Sequence, residues 1–325
     1  MIDSILKATQ QYNIQIINTE QIDKDGDVFL LFAADGKKYF LKIINEKKGT
    51  DYLYTENLYH TYEQLCIEMQ ILYALKDTPV KTACPVSNIY GKYVSHLEDN
   101  LYATVTSYIE GDLMEQAEDD QCEMAYAAGK AAAYLHENSP NNLAVKRPHR
   151  DKTYIQRIID RIRKGVDVYK TITESQYIIL KTGAGYIMSC MDELDKESDR
   201  NKGLVHTDLR CGNFIYADKS AIPIDFTRSV YGYYLYDLGE MTAHMGGMAP
   251  DNKAQSEILR GYNSIRPLSY EDKQKVQVFF IMFLIVLIAE FIELKENFWF
   301  NDTVKKLCNL YIPSVQKEKF FIKIN

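Results

Sequence analysis

Residues 204–226 read LVHTDLRCGNFIYADKSAIPIDF. Asp208 and Asn213 flank a short polar loop between apolar runs, and Asp225 closes the second run after Ile222-Pro223-Ile224. A hairpin over this stretch returns Asp225 to the loop that holds Asp208 and Asn213. Two carboxylates and an amide oxygen then converge on one spot. Hard oxygen ligands at that density suit Mg2+, which keeps open positions for phosphate oxygens. Two further residues stand out. Lys42 lies in the apolar run Tyr39-Phe40-Leu41-Lys42-Ile43. Glu68 falls on one helix face with Leu65, Leu72 and Leu75. A buried carboxylate there is costly without a cation, and Lys42 is the partner on offer. Glu63 is the alternative acid, on a more polar face.

The elements that must position these groups follow from pattern. Val28 to Ala33 and Lys38 to Ile44 read as strands joined by Ala34-Asp35-Gly36-Lys37, a hairpin signal. The period over Tyr62 to Lys76 predicts a helix, ended by Thr78-Pro79. Strands are expected around Val86 to Tyr93 and Leu101 to Ile109, broken by Glu110-Gly111-Asp112. The remainder reads as helix: Gln121 to Asn138, Lys152 to Lys170, Ser175 to Glu197 and Tyr270 to Glu296, interrupted only by the island at Leu204 to Asp225. The expected fold class is α+β. A β-rich lobe with one main helix spans residues 1–107, and a larger helical lobe spans 108–325.

His206, Asp208, Leu209 and Asn213, followed by Ile224-Asp225-Phe226, resemble the H-G-D-L-x-x-x-N … I-D-F pattern of the aminoglycoside phosphotransferase and choline kinase superfamily. Gly232-Tyr-Tyr-Leu-Tyr-Asp237-Leu238 is similar to the segment that follows the metal aspartate there, with close versions in bacterial stress-response Ser/Thr kinases and homoserine-kinase-like members. The resemblance implies a protein-kinase-like two-lobed fold and an enzyme that uses ATP and Mg2+ to phosphorylate a hydroxyl. It makes Asp208 the catalytic base and gives Mg2+ to Asn213 and Asp225. Arg210, two residues after the base, would neutralise the transferring phosphoryl group, or form a surface ion pair. Lys42, paired with Glu68, would hold the ATP phosphates. Backbone groups around Ser107 would meet adenine, with Ile109 and Ile224 against the ring. Asp237 would brace the catalytic loop, and His206 would be structural. Three features depart from protein kinases: no G-x-G-x-x-G precedes Lys42, with only Asp25-Gly26-Asp27 in that region, Asp225-Phe226 runs into Thr227, and Thr207 stands where many protein kinases have arginine.

Composition narrows the partners. The 325-residue chain has 46% hydrophobic and 26% charged residues, the make-up of a globular protein with a sizeable core. A net charge of −7 argues against nucleic acid as the main partner. The six cysteines form no C-x-x-C pair, which suits a reducing compartment. The N-terminus does not read as a signal peptide, and the apolar run Val278 to Ala289 is shorter than the roughly 20 residues that span a bilayer. A cytoplasmic protein without membrane contact is expected, as monomer or homodimer. The expected acceptor is a small-molecule hydroxyl, on an aminoglycoside-, amino-alcohol- or homoserine-like compound. Acids from Asp112 to Glu123 and from Glu193 to Asp199 either favour a cationic acceptor or form solvated surface. Tyr231, Tyr233, Tyr234 and Tyr236 either line its pocket or belong to the core. A Ser/Thr protein kinase of the stress-response type and a nucleotide-binding pseudokinase are the alternative readings.

Overall fold

Alternation decides the first sheet. In the computed structural model, β2 (Val28–Ala33) buries every second residue, and the hairpin turn pairs it with β3 (Lys38–Asn45), Phe29 opposite Leu41. The structure describes residues 2–22, 28–46, 61–246, 252–294 and 297–323; the Asp25-Gly26-Asp27 segment lies outside them. The sheet is antiparallel in the order β1-β2-β3-β5-β4, with β1 (Ile16–Gln21), β4 (Val94–Glu98) and β5 (Leu101–Ser107). Phe29, Leu31, Leu41, Ile43, Ala103 and Val105 form one core with Ile5, Ala8 and Tyr12 from α1 (Ile2–Gln11). Helix α2 (Tyr62–Leu75) starts at Thr61, whose side chain accepts the Gln64 N–H, and buries Leu65, Glu68, Leu72 and Leu75, the face expected.

The strand expected over Val86 to Tyr93 is absent, and β4 begins at Val94. The cause is Asn88, whose Oδ1 accepts the N–H groups of Tyr90 and Lys92 while its own N–H bonds the Lys92 carbonyl. That side chain closes a turn where the residue types read as extended.

The chain divides into two compact units, Met1–Gly111 with Ile224–Arg228, and Asp112–Pro223 with Ser229–Asn325. In the second, a two-residue β6 (Asp112–Leu113) precedes α3 (Gln121–Glu137), a short α4 (Asn141–Ala144), α5 (Lys152–Lys164) and α6 (Glu174–Glu197). The island follows as β7 (Lys202–Val205) and the hairpin β8 (Phe214–Ala217)–β9 (Ser220–Pro223); its turn residues Asp218 and Lys219 both have positive φ, as a two-residue hairpin turn demands. Then come β10 (Val230–Tyr233), paired with β7, α7 (Leu235–His244), α8 (Lys253–Asn263), α9 (Tyr270–Glu290), α10 (Phe298–Lys306) and α11 (Ile312–Gln316).

The apolar run of α9 is buried core, and no helix among the described residues is long and apolar enough to cross a membrane. Two corrections concern helix ends. Helix α5 stops at Lys164 and passes into a π-turn, Gly165–Tyr169, before Lys170. Helix α9 ends at Glu290 and not at Glu296, because Arg161 Nε takes the Ala289 carbonyl and Thr171 Oγ1 the Ile292 carbonyl.

Helices α3 and α8 touch backbone to backbone. A Cβ on Gly129 would lie 2.0 Å from the Ile258 carbonyl oxygen, and one on Gly261 would lie 2.0 Å from that of Tyr126. Only glycine fits at either position.

Candidate active site

The catalytic-loop candidate is built on a buried carboxylate. Asp237, in the first turn of α7, is fully buried. Its Oδ2 accepts the His206 N–H at 2.9 Å and its Oδ1 the Thr207 N–H at 2.9 Å. His136, near the end of α3, puts Nε2 3.0 Å from Asp237 Oδ2 and Nδ1 2.9 Å from the Tyr262 hydroxyl. Burial pushes the Asp237 carboxyl up, but the His136 contact and the two loop amides outweigh it and hold it below its ordinary value. Burial pulls the His136 imidazole down more than Asp237 raises it. The pair is therefore a carboxylate and a neutral imidazole: Nε2–H donates to Asp237, and Nδ1 accepts from Tyr262. Tyr234 stacks on the His136 ring with centroids 4.4 Å apart.

This brace holds a strained turn. Thr207 has φ 60°, unfavourable for a β-branched residue. The turn follows β7 directly and leads into Asp208. His206 is completely buried and tied to Asp237 by its backbone, the structural part expected of it. Beyond the turn, Asn213 Nδ2 donates to the Asp208 carbonyl at 2.9 Å. Committing the amide nitrogen leaves Asn213 Oδ1 as the atom that a hard cation would meet. Arg210 Nε lies 3.3 Å from Asp208 Oδ1. A Cβ on Gly212 would meet Arg210 Nη1 at 2.6 Å and Glu115 Oε2 at 2.9 Å, so the glycine makes room for both side chains. The loop's far end feeds the β8–β9 hairpin, whose register sets Phe214 opposite Pro223.

The first unit carries a second cluster. Lys42 Nζ lies 3.2 Å from Asp225 Oδ1 and 2.9 Å from Thr227 Oγ1. The Thr227 hydroxyl donates to Glu68 Oε1 at 3.3 Å. Lys42 thus meets Asp225 directly and is linked to Glu68 through Thr227, a residue that the sequence marked only as a departure. Asp225, at φ 59°, takes a left-handed backbone like Thr207. The Lys42–Asp225 pair is partly exposed, 33% and 46%, so it is worth at most about 1 kcal/mol and yields readily to stronger partners. At the expected adenine contacts, Ser107 N–H donates to the Cys84 carbonyl and Tyr108 N–H to the Lys38 carbonyl, while Ile109 and Ile224 are half-buried.

Four of the acids flagged in the sequence have local duties. Asp120 caps α3 through the Cys122 and Glu123 N–H groups, Glu123 pairs with Lys219, Asp195 with Lys202 and Glu197 with Lys275. Tyr233, Tyr234 and Tyr236 are buried core. Sequence reasoning missed Glu240 and His244 on α7, whose ligand atoms and that of Asp208 lie within 4.8 Å of one another. It also missed His136; the signal available was its place seven residues after Gly129 on the buried face of α3.

The sequence profile of the phosphotransferase enzyme family matches residues 21–277. The chain belongs to that family. Membership matches the resemblance to aminoglycoside phosphotransferases and choline kinases. Solved phosphotransferases share its fold across nearly the whole chain. A microcompartment-associated aminopropanol kinase superposes with a TM-score of 0.73 at 18% identity, over 97% of this chain and 98% of the other. Amicoumacin kinase hAmiN in complex with AMP-PNP, Ca2+ and Ami gives 0.71 at 16%, over 99% and 94%. An aminoglycoside phosphotransferase from Alicyclobacillus acidocaldarius gives 0.65 at 12%, over 95% and 94%. No curated protein matches the sequence. The expected α+β kinase-like architecture, with an antiparallel amino-terminal sheet and a helical carboxy-terminal part, is borne out.

Proposed function

We propose that this phosphotransferase is a cytoplasmic enzyme that moves the γ-phosphoryl group of ATP, with Mg2+, to a hydroxyl of a small molecule. The observation that carries the reading is the Asp208–Asn213 loop, held in a strained turn by Asp237 with the Asn213 oxygen left for a cation. Relatives of the same fold include kinases whose names give aminopropanol and amicoumacin as acceptors, one of them bound to a nucleotide analogue and a divalent ion.

Asp208 takes the proton of the acceptor hydroxyl as that oxygen attacks the γ-phosphorus. The new O–P bond forms while the bond to the β–γ bridging oxygen breaks, and ADP leaves with that electron pair. Arg210 lies close enough to Asp208 to meet charge on the transferring group. Lys42 exchanges its exposed partner Asp225 for the ATP phosphates, with Glu68 and Thr227 keeping its stem in place. Asn213, through its oriented amide oxygen, and Asp225, through its carboxylate, are each the kind of hard oxygen donor Mg2+ takes and are the ligands of this reading. The ion would neutralise phosphate charge. Ser107, Ile109 and Ile224 are the adenine contacts of this reading.

The test is Asp208→Asn, assayed for ATP-dependent phosphorylation across aminoglycosides, amino alcohols, homoserine, sugars and a protein acceptor. Loss of a positioned base lowers kcat by about 10²–10⁴. Turnover equal to wild type, by a variant with unchanged thermal unfolding, would refute the assignment. Chelation of Mg2+ should stop transfer in the wild type.

A further inference from the structure

The turn after β6 brings one more acid to the candidate catalytic loop. Leu113 pairs with Ile215, and the Met114 N–H donates to the Phe214 carbonyl, so the next residue, Glu115, arrives level with Gly212. The Gln116 and Ala117 N–H groups both return to the Leu113 carbonyl and close the turn around it. The loop is placed as firmly from its own side, by the Asn213 N–H on the Arg210 carbonyl at 2.8 Å. Burial and then the nearby Glu115 charge push the Cys211 thiol up. Arg210 lies between two carboxylates. Its Nε is 3.3 Å from Asp208 Oδ1. A Cβ on Gly212 would lie 2.6 Å from Arg210 Nη1 and 2.9 Å from Glu115 Oε2, so those two atoms, taken end to end, are at most 5.5 Å apart. Different nitrogens of one planar fork thus serve the two acids.

We infer that Glu115 is a positioning residue for phosphoryl transfer, drawing the Arg210 guanidinium off Asp208 and holding it ready for the transferring group. This deepens the phosphotransferase reading and rests on it. The two contacts of Arg210 have opposite effects. On Asp208, the guanidinium covers an oxygen that the acceptor's proton must reach. On Glu115, it clears that oxygen and stays beside the loop as a cation. The exchange is easy, because the Arg210 side chain is 47% exposed and Glu115 is exposed, so neither pair is strong by itself. Gly212 is the gap across which the exchange is made. Glu115 touches neither nucleotide nor acceptor in this scheme and acts only through Arg210.

The test is a double-mutant cycle of Glu115→Gln and Arg210→Ala. ATP turnover is followed with 2-aminoethanol, homoserine and 2-deoxystreptamine as acceptors and with water alone. Glu115→Gln should melt like the wild type and lower kcat about 10-fold, the loss of one charge-assisted hydrogen bond, with the KM values for ATP and acceptor unchanged. Arg210→Ala should lower kcat at least as far, and adding Glu115→Gln to it should do nothing more. Gly212→Ala supplies an independent wedge: its methyl parts Arg210 from Glu115 without altering either charge, and the defect of Glu115→Gln should reappear. Wild-type kcat in Glu115→Gln or in Gly212→Ala overturns the inference, as does a Glu115→Gln loss of the same size with and without Arg210. A loss confined to the acceptor KM also overturns it, because Glu115 would then bind the acceptor itself. Each of these leaves the phosphotransferase reading standing. Wild-type ATP consumption no greater than that of Asp208→Asn under all four conditions overturns both.

Discussion

Replacing Asp237 with asparagine tests how the candidate catalytic loop is held. The carboxylate receives three donors: the His206 N–H and His136 Nε2–H on Oδ2, and the Thr207 N–H on Oδ1. Asparagine keeps one acceptor oxygen and turns the other into a donor. If its oxygen takes the Oδ2 seat, the Thr207 amide faces an NH2 group. If its nitrogen takes that seat, His136 can change tautomer and accept, with Nδ1–H turning to the Tyr262 oxygen, but the His206 amide is then orphaned. Either way one buried loop amide loses its partner. That costs about 1–3 kcal/mol, and the surviving bonds lose their charge assistance, so roughly 2–4 kcal/mol in all. Thermal unfolding should drop by about 4–8 °C. The strained Thr207 turn should relax and carry Asp208 with it, and a misplacement of about 1 Å can lower kcat on the order of 100-fold. Calorimetry gives the first number and a phosphotransfer assay the second. Amide exchange at His206 and Thr207 locates the damage. A variant with wild-type Tm, wild-type exchange at both amides and wild-type kcat would sink the brace argument.

Three further outcomes are expected. Thr227→Val keeps the volume but removes the hydroxyl that links Lys42 to Glu68; it should cost about 1–2 kcal/mol by chemical denaturation and raise the KM for ATP. The folded protein keeps both His136 and Asp237 below their ordinary pKa values, so the unfolded chain binds more protons. Stability should then fall on acidification, through about pH 6.5 for the histidine and again near pH 4 for the carboxylate, and His136→Gln should flatten the upper step in a Tm-versus-pH series. Gly129→Ala would place a methyl 2.0 Å from the Ile258 carbonyl oxygen, and forcing α3 from α8 should cost about 3 kcal/mol; a melting curve unchanged within error would contradict that contact.

Residue type and spacing revealed those groups whose chemistry is local. Asp208, Asn213 and Asp225 fall within 18 residues of one another in sequence, before and after the β8–β9 hairpin, and Lys42 lies in an apolar strand, so a linear pattern exposes them as candidates. The Glu68 face was legible because helix period alone brings it round to Leu65 and Leu72. His136 and Thr227 were not, because their contacts arise from partners that sequence distance hides. His136 meets Asp237 across 101 residues, and Thr227 meets Glu68 across 159. The misread at Val86 to Tyr93 has the same root: the β-forming residues were visible, but the choice of Asn88 to bond its own backbone was not.

The meeting of α3 and α8 has a consequence for how this enzyme would fail. Gly261 lets α8 come flush with α3, and its neighbour Tyr262 is the hydroxyl that orients His136. From there the route to the proposed base is short: imidazole, Asp237, the Thr207 amide, Asp208. A lesion that pries the two rods apart, even at a site remote in sequence from the chemistry, should blunt turnover while most of the protein still stands. Slow catalysis in an otherwise sound molecule would be the early symptom, and unfolding the late one.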